Sequence, residues 1–429
     1  MGKKKLKDMS KPIDLFGLNL KGISLERLKK DFLIIAGLSL LIKVLLVIIT
    51  INVFHSFVDL FDISLYFKYA LMVGQGQIPY VDFSIPYPIL FLIPALIPLP
   101  FFLLTQDVMT YAFMYQFFMA VIDILIAFIV YLIVLNLANR ERAFNAAILY
   151  ATAFSAAYFA ITKYDAFPTM FLMLGLMLTI YGIKKSGYVS IVLGFFAKLF
   201  PLISLPYVLL FNSEKTDLKK EITCLLKYSI PIALILLIPV LIISPSNLSA
   251  YLSAAGGGFG AYVNTPTYTI HALLLSIGPN ISPEIISIIM YVIMAVFILF
   301  LLAVAYIKKI ETPNNLLIFV FLTIFATIFL SKFHSPQYIL WITPLIAIFL
   351  SGELRSIILF YVFQILTYIE FPLMWNGFYT NTQYSNQFGT TGWYITVLFF
   401  AIEYLFMLYL VYKIINNNDN FKEKFFKIT

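Results

Sequence analysis

One stretch of this chain carries carboxylates and tyrosines at spacings that could do chemistry. Asp59 and Asp62 stand three apart, and Asp62, Tyr66 and Tyr69 fall on one face of a helix, because residues three and four apart are helical neighbours. Gly74 and Gly76 are placed to end that helix. Pro79-Tyr80 and Pro86-Tyr87-Pro88 then make a stiff aromatic loop. A carboxylate held this way could serve as a general base that takes a proton from an incoming hydroxyl. The plainer alternative is that Asp59 or Asp62 caps the helix.

The elements that must position these residues follow from composition. The 429 residues are 62% hydrophobic and only 12% charged, whereas soluble domains are about a quarter charged. That balance excludes a soluble enzyme, a disordered chain and a nucleic-acid module. About 20 apolar residues cross a bilayer, and long unalternated runs of that kind exclude an outer-membrane barrel. The expected class is an all-α polytopic membrane protein. Cys224 is the only cysteine, so no internal disulfide can form.

The net charge of +8 belongs to topology rather than to nucleic acid. Lys and Arg collect on the cytoplasmic side of membrane proteins. Clusters at 3–30, 140–142, 184–185, 215–227, 308–309, 355 and 413–427 hold 24 of the 29 Lys and Arg residues. With all of them inside, about 12 spans follow: 32–54, 109–137, 144–161, 166–183, two short helices within 188–211, 225–244, 284–307, 315–331, 337–350, 356–372 and 393–413. Residues 1–30 form a basic cytoplasmic tail, 31–413 the membrane domain and 414–429 a solvated tail. Residues 55–108 make a long first outer loop with amphipathic juxtamembrane helices. Its apolar part, 85–105, carries five prolines that would break a helix repeatedly. It is expected to be kinked or re-entrant; two crossings within 85–137 would keep the same parity.

This topology gathers Asp59, Asp62, Asp82, Lys163, Asp165, Lys198, Lys332 and His334 at the outer surface or just below it. The loops 245–283 and 373–392 lie there too, with all three histidines and the sequons at Asn247 and Asn280. The histidine spacing fits no zinc motif. Gly256-Gly257-Gly258-Phe259-Gly260 lacks the ending of a phosphate-binding loop; it is a flexible loop or a flap. Each polar residue also has a structural reading. Lys198 could snorkel, Lys163 and Asp165 could be a weak surface pair, and Tyr80, Tyr87, Tyr338 and Trp341 could form an aromatic belt, with sugar or lipid stacking open to one or two of them.

Asp62-x-x-x-Tyr66, Ala70, Gly76, Pro79-Tyr80 and Tyr87-Pro88 together resemble the first outer loop of the GT-C superfamily of membrane glycosyltransferases. The likeness is to the polyprenyl-phosphate-mannose-dependent group, glycosyltransferase family 87. Three further stretches fit the same pattern in order: Lys163-Tyr164-Asp165-Ala166-Phe167-Pro168, Gly194-x-x-x-Lys198-x-x-Pro201, and Lys332-Phe333-His334-Ser335-Pro336-Gln337-Tyr338-x-Leu340-Trp341. The Asp-x-Asp of some relatives is missing, since Leu60 and Ser64 flank Asp62. The resemblance implies a GT-C bundle that moves a hexose, mannose above all, from a polyprenyl phosphate to an extracytoplasmic acceptor (glycan, glycolipid or protein) with inversion. Asp62 would be the base. Asp59, Tyr66, Tyr80, Tyr87, Lys163, Asp165, Lys198, Lys332, His334, Gln337 and Tyr338 would bind substrates, the cations offsetting the phosphate charge. A donor with one phosphate makes a metal unnecessary, so no cofactor is expected. The Ile-, Phe-, Tyr- and Lys-rich composition points to a microbial cell membrane rather than endoplasmic reticulum.

The rival class is a transporter or lipid-linked sugar flippase. Carriers keep ionisable residues near the midplane, often in repeated halves. Lys43, Asp123 and Glu403 fall there, which allows a Lys43–Asp123 or Lys43–Glu403 pair, but no matched halves are visible.

Overall fold

The computed structural model describes residues 13–15, 17–48, 60–243, 261–379 and 390–425, with side chains for all of these but 239–241, 243 and 376–379. Asp59, His55, the Asn247 sequon and the Gly256–Gly260 run lie outside the described residues.

The chain is an all-α, multi-pass membrane protein. It opens on a small hairpin, β1 (Ile13–Leu15) and β2 (Leu18–Leu20), in which Ile13 pairs with Leu20. The long helix α1 (Leu25–Ile48) follows. Leu18, Leu20, Ile23 and Leu28 are buried. The stretch expected to be a free basic tail is therefore partly folded, because it carries apolar residues that need cover.

After α2 (Phe61–Gly74) the proline-rich stretch breaks, as expected, into a 3-10 turn at Ile89–Phe91, α3 (Leu92–Leu96) and α4 (Leu99–Thr105). Next comes the central helix, α5 (Val108–Leu137), whose N-cap Asp107 accepts from the Met109 and Thr110 amides at 3.1 Å each. Of its most apolar window, 72% is buried inside the protein. A pair bent by 58°, α6 (Arg140–Ala151) and α7 (Phe154–Thr162), returns along it.

Two close-packed helices, α8 (Ala166–Ile180) and α9 (Lys184–Ala197), follow. Small residues let helices approach in membranes: a Cβ on Gly175 would stand 2.6 Å from Ile191 Cγ1, and one on Gly187 would stand 2.6 Å from Thr179 Oγ1. The stretch 188–211 splits at Lys198 as expected. A 3-10 turn at Phe200–Ser204 leads to α10 (Leu205–Ser213), then to α11 (Leu218–Ile243).

The later helices start with one repeated device, a hydroxyl cap followed by proline at the first helical position. Thr265-Pro266 opens α12 (Pro266–Ile277), Ser282-Pro283 opens α13 (Pro283–Lys308), and Thr312-Pro313 opens α14 (Pro313–Phe329). A 3-10 turn at Pro336–Tyr338 leads into α15 (Ile339–Leu350), then α16 (Leu354–Tyr368) and an irregular segment, Ile369–Tyr379. The last two are α17 (Thr391–Asn416) and α18 (Asp419–Phe425).

Six helices among the described residues are long and apolar enough to cross a membrane, and the α6–α7 pair would make a seventh. Shorter apolar helices at 89–105, 166–180, 200–213, 313–329 and 336–350 fill the bundle between them. Only 17% of the α11 window and 22% of the α13 window are buried in protein, so these two helices present most of their apolar surface outward.

Residues 416–425 are not the solvated tail expected of an Asn-rich run. Asn418 accepts from Asn314, Asn420 accepts from Asn315 at 3.3 Å, and Phe421 and Phe425 pack on Phe319 with ring centroids at 5.2 and 4.9 Å. Ion pairs cluster at this end of the bundle. Arg140 bonds Asp31 at 2.5 Å with Tyr131 donating to the same carboxylate, Lys184 meets Glu221 at 2.7 Å, and Lys424 meets Glu311 at 2.6 Å.

Between the two ends lies a buried pair. Lys43 Nζ stands 2.6 Å from Asp123 Oδ2 and donates to Ser39 Oγ, while Tyr150 donates to Asp123 Oδ1 at 2.5 Å. Of the two expected partners for Lys43, the structure selects Asp123. Removing one member of a buried pair strands the other charge. Lys43→Ala should therefore cost about 3–5 kcal/mol, measured by thermal unfolding in detergent, and Lys43→Met with Asp123→Leu should recover part of the loss. A single variant as stable as the native protein would show the pair to be unimportant.

Candidate functional site

Helix breaks at the end opposite the Arg140 cluster supply the polar residues. Lys163 follows the last residue of α7 in extended conformation (φ −126°, ψ 160°), and Asp165 immediately precedes α8. Lys198, also extended (φ −162°, ψ 150°), separates α9 from its 3-10 continuation. Pro201 folds this continuation back on α9. A Cβ on Gly194 would stand 3.0 Å from Pro201 Cβ and 3.1 Å from Phe171 Cβ. The Gly194, Lys198, Pro201 spacing is thus a steric unit: glycine leaves room for the proline, and the break between them turns the lysine out of the helix.

The two lysines do not pair as the sequence led one to expect. Lys163 bonds Asp62, Nζ to Oδ2 at 2.9 Å, and Lys198 bonds Asp165, Nζ to Oδ1 at 2.6 Å. Neither is a weak surface pair. The Lys163 and Asp165 side chains are 5% and 0% exposed, while Asp62 keeps 15%. The N-cap of α2 is Leu60, and Asp62 turns its carboxylate to Lys163 instead of capping. Lys163 also lies 5.3 Å from the Phe371 ring centroid.

Beside these pairs is a cleft of about 440 Å³. Its lining includes the polar and aromatic residues Tyr87, Tyr164, Lys198, Gln337, Tyr338 and Trp341 and the apolar residues Leu199, Phe200 and Ile203. Lys198 Nζ sits 4.9 Å from the Tyr164 and Tyr338 ring centroids and 5.3 Å from that of Trp341. Tyr87 lines the cleft, near Asp62 and Asp165. Burial, with Asp62 next, holds its phenol well above the usual tyrosine range, so it is a neutral donor.

Other expected site residues have different posts. Tyr66 is 1% exposed and packs on Phe91, Tyr115, Tyr164 and Tyr87 at 5.0–6.1 Å; it supports the cleft from beneath rather than lining it. Tyr80 adopts φ 66° and donates to the Tyr87 carbonyl at 2.7 Å, bracing the loop. Gln337 accepts from Ser335 at 2.5 Å at the cleft rim. Lys332 is outside the cleft lining; its carbonyl accepts from the Tyr262 amide at 2.9 Å and its charge acts on Glu284.

His334 is turned away from Lys198. It lines a closed chamber with Asn264, Glu403 and Tyr404. Both of its ring nitrogens lack hydrogen-bond partners among the described residues. Asn264 ties this chamber to Glu370 with a 2.5 Å hydrogen bond. His271 bonds the Ile281 carbonyl at 2.9 Å and is half-buried, and among the described residues no three His, Cys, Asp or Glu side chains converge as metal ligands.

Sequence reasoning missed the node formed by Trp341, whose indole N–H donates to Asp165 Oδ1 at 2.7 Å. One signal was available: Tyr338 and Trp341 are three apart at a helix start, so both point to one face.

Burial pulls the His334 imidazole down to about 4 from its ordinary 6.5. Below pH 6.5 the unfolded chain therefore binds a proton that the folded chain refuses. Stability should fall as pH drops from 6.5 towards 4, by about 1.4 kcal/mol per unit from this residue. Thermal unfolding of His334→Gln should show a shallower acid limb; an unchanged limb would clear His334 of the effect.

Neither a protein-family model nor a curated protein sequence matches the chain, so the chemistry of the cleft is what speaks to function.

Proposed function

We propose that this protein is a GT-C type membrane glycosyltransferase. It would transfer a hexose, with mannose as the expected sugar, from a polyprenyl-phosphate donor to the hydroxyl of a glycan, glycolipid or protein acceptor. The observation that carries the reading is the cleft itself. A lysine held among aromatic rings lines it together with apolar side chains, and a second carboxylate–lysine pair, Asp62–Lys163, lies near Tyr87. Such a space suits a ligand with a sugar, one phosphate and a lipid chain. With the basic end inside by the positive-inside rule, the cleft faces the extracytoplasmic side.

In the proposed reaction Asp62, paired with Lys163, takes the proton from the acceptor hydroxyl. The acceptor oxygen forms a bond to the anomeric carbon from the face opposite the phosphate, so configuration inverts. The bond from that carbon to the phosphate oxygen breaks, and its electron pair leaves with the phosphate. Lys198 offsets the charge that develops there. The carrier reading rests on Lys43, Asp123 and Glu403; Lys43 and Asp123 are tied to each other, to Ser39 and to Tyr150, and Glu403 lines a separate chamber with His334.

The test is transfer by the purified protein from polyprenyl-phosphate mannose to candidate acceptors. Asp62→Asn should slow transfer by about 10²–10⁴-fold, with donor binding retained. Lys198→Ala should raise the donor KM. EDTA should leave the rate unchanged, since a single phosphate charge is within reach of a lysine. Full activity in Asp62→Asn would remove the base assignment, and lipid-linked sugar movement without transfer would establish the carrier instead.

A further inference from the structure

We infer that Asp165 and Trp341 are positioning residues that preset the Lys198 ammonium for a singly charged phosphate ester. This rests on the donor-site reading of the cleft and adds to it the device that holds the lysine.

Lysine is a poor phosphate ligand when left to itself, because its ammonium is a compact charge on a flexible stem. Here the stem ends in a socket. Asp165 Oδ1 takes one ammonium proton at 2.6 Å, and the faces of Tyr164, Tyr338 and Trp341 surround the nitrogen at 4.9–5.3 Å. An ammonium has three donors, and Lys198 still lines the cleft, so it retains donor capacity towards a ligand there.

The socket is itself held in place. Trp341 is stacked between Phe200 at 4.1 Å and Tyr338 at 4.0 Å, nearly parallel to the first. Its indole N–H donates to the same Asp165 oxygen that receives Lys198. Asp165 Oδ2 has no hydrogen-bond partner among the described residues, so the carboxylate is oriented through Oδ1 alone. A surface anchor for Trp341 would leave the indole N–H in the interface; here it is spent on a fully buried carboxylate. The charge count narrows the ligand. The socket presents one oriented ammonium, and the Asp165 carboxylate beside it disfavours additional negative charge. That suits one phosphodiester charge rather than the several charges of a diphosphate.

The experiment uses full-length protein in lipid nanodiscs with polyprenyl monophosphate, polyprenyl diphosphate and polyprenyl-phosphate mannose as probes. Trp341→Phe keeps a ring in the stack and removes the N–H. It should weaken binding of polyprenyl-phosphate mannose about tenfold, the loss of one hydrogen bond to a charged group, and raise the donor KM with little change in the acceptor KM. Native protein should bind polyprenyl-phosphate mannose, a singly charged diester, more tightly than polyprenyl diphosphate. Native binding and transfer with an unaffected Trp341→Phe would overturn this inference alone. No binding of polyprenyl-phosphate mannose or transfer by the native protein would overturn the donor-site reading and this inference together.

Discussion

A charge withdrawn from water needs a partner supplied at close range, and in this bundle the partners come from different helices. Asp31 of α1 is answered by Arg140 of α6, Lys43 of α1 by Asp123 of α5, and Asp62 of α2 by Lys163 beyond α7. Asp165 is answered by Lys198 at the end of α9. Apolar packing between lipid-facing helices is nearly indifferent to register, because lipid competes for the same surface. These pairs are not indifferent. Each fixes the depth of one element against another, and the two at the cleft end also put lysines beside the space they surround.

Function and architecture therefore share residues. The breaks that interrupt α7–α8 and α9 cost helical hydrogen bonds, yet they are what frees Lys163, Asp165 and Lys198 from the helical lattice. The proline-rich turns of the first outer loop play the same part for Tyr87. Tyr66, Phe91 and Tyr115 form the floor under Tyr87 and Tyr164, so the chemistry stands on a rigid aromatic base.

Much of the fold was legible in the sequence, because apolar run length and lysine placement obey strong physical rules. The split at Lys198, the broken stretch at 85–105 and the common face of Asp62, Lys163, Asp165 and Lys198 all follow from proline, charge and parity. Partner choice was not legible. Lys163 and Asp165 are sequence neighbours, yet each bonds a residue far along the chain, and local spacing carries no record of that. Nor does hydropathy distinguish Tyr66, wholly enclosed, from Tyr87 at the cleft wall. His334 looked like a companion of Lys332, but the turn between them sends the ring into an enclosed chamber. The packed end of the chain was readable in part: Phe421 and Phe425, four apart, are an apolar stripe that the preceding asparagines disguise.

The docking of those two phenylalanines on Phe319 bears on how the protein is made. When α14 first enters the bilayer during synthesis, Tyr207 of α10 can already stack on Phe319, but the face that Phe421 and Phe425 close is still open. The rings that close it arrive only after α15, α16 and α17 have been threaded. Assembly of this end is thus ordered in time, and until α18 emerges α14 must be sheltered by lipid, by the insertion machinery or by a chaperone.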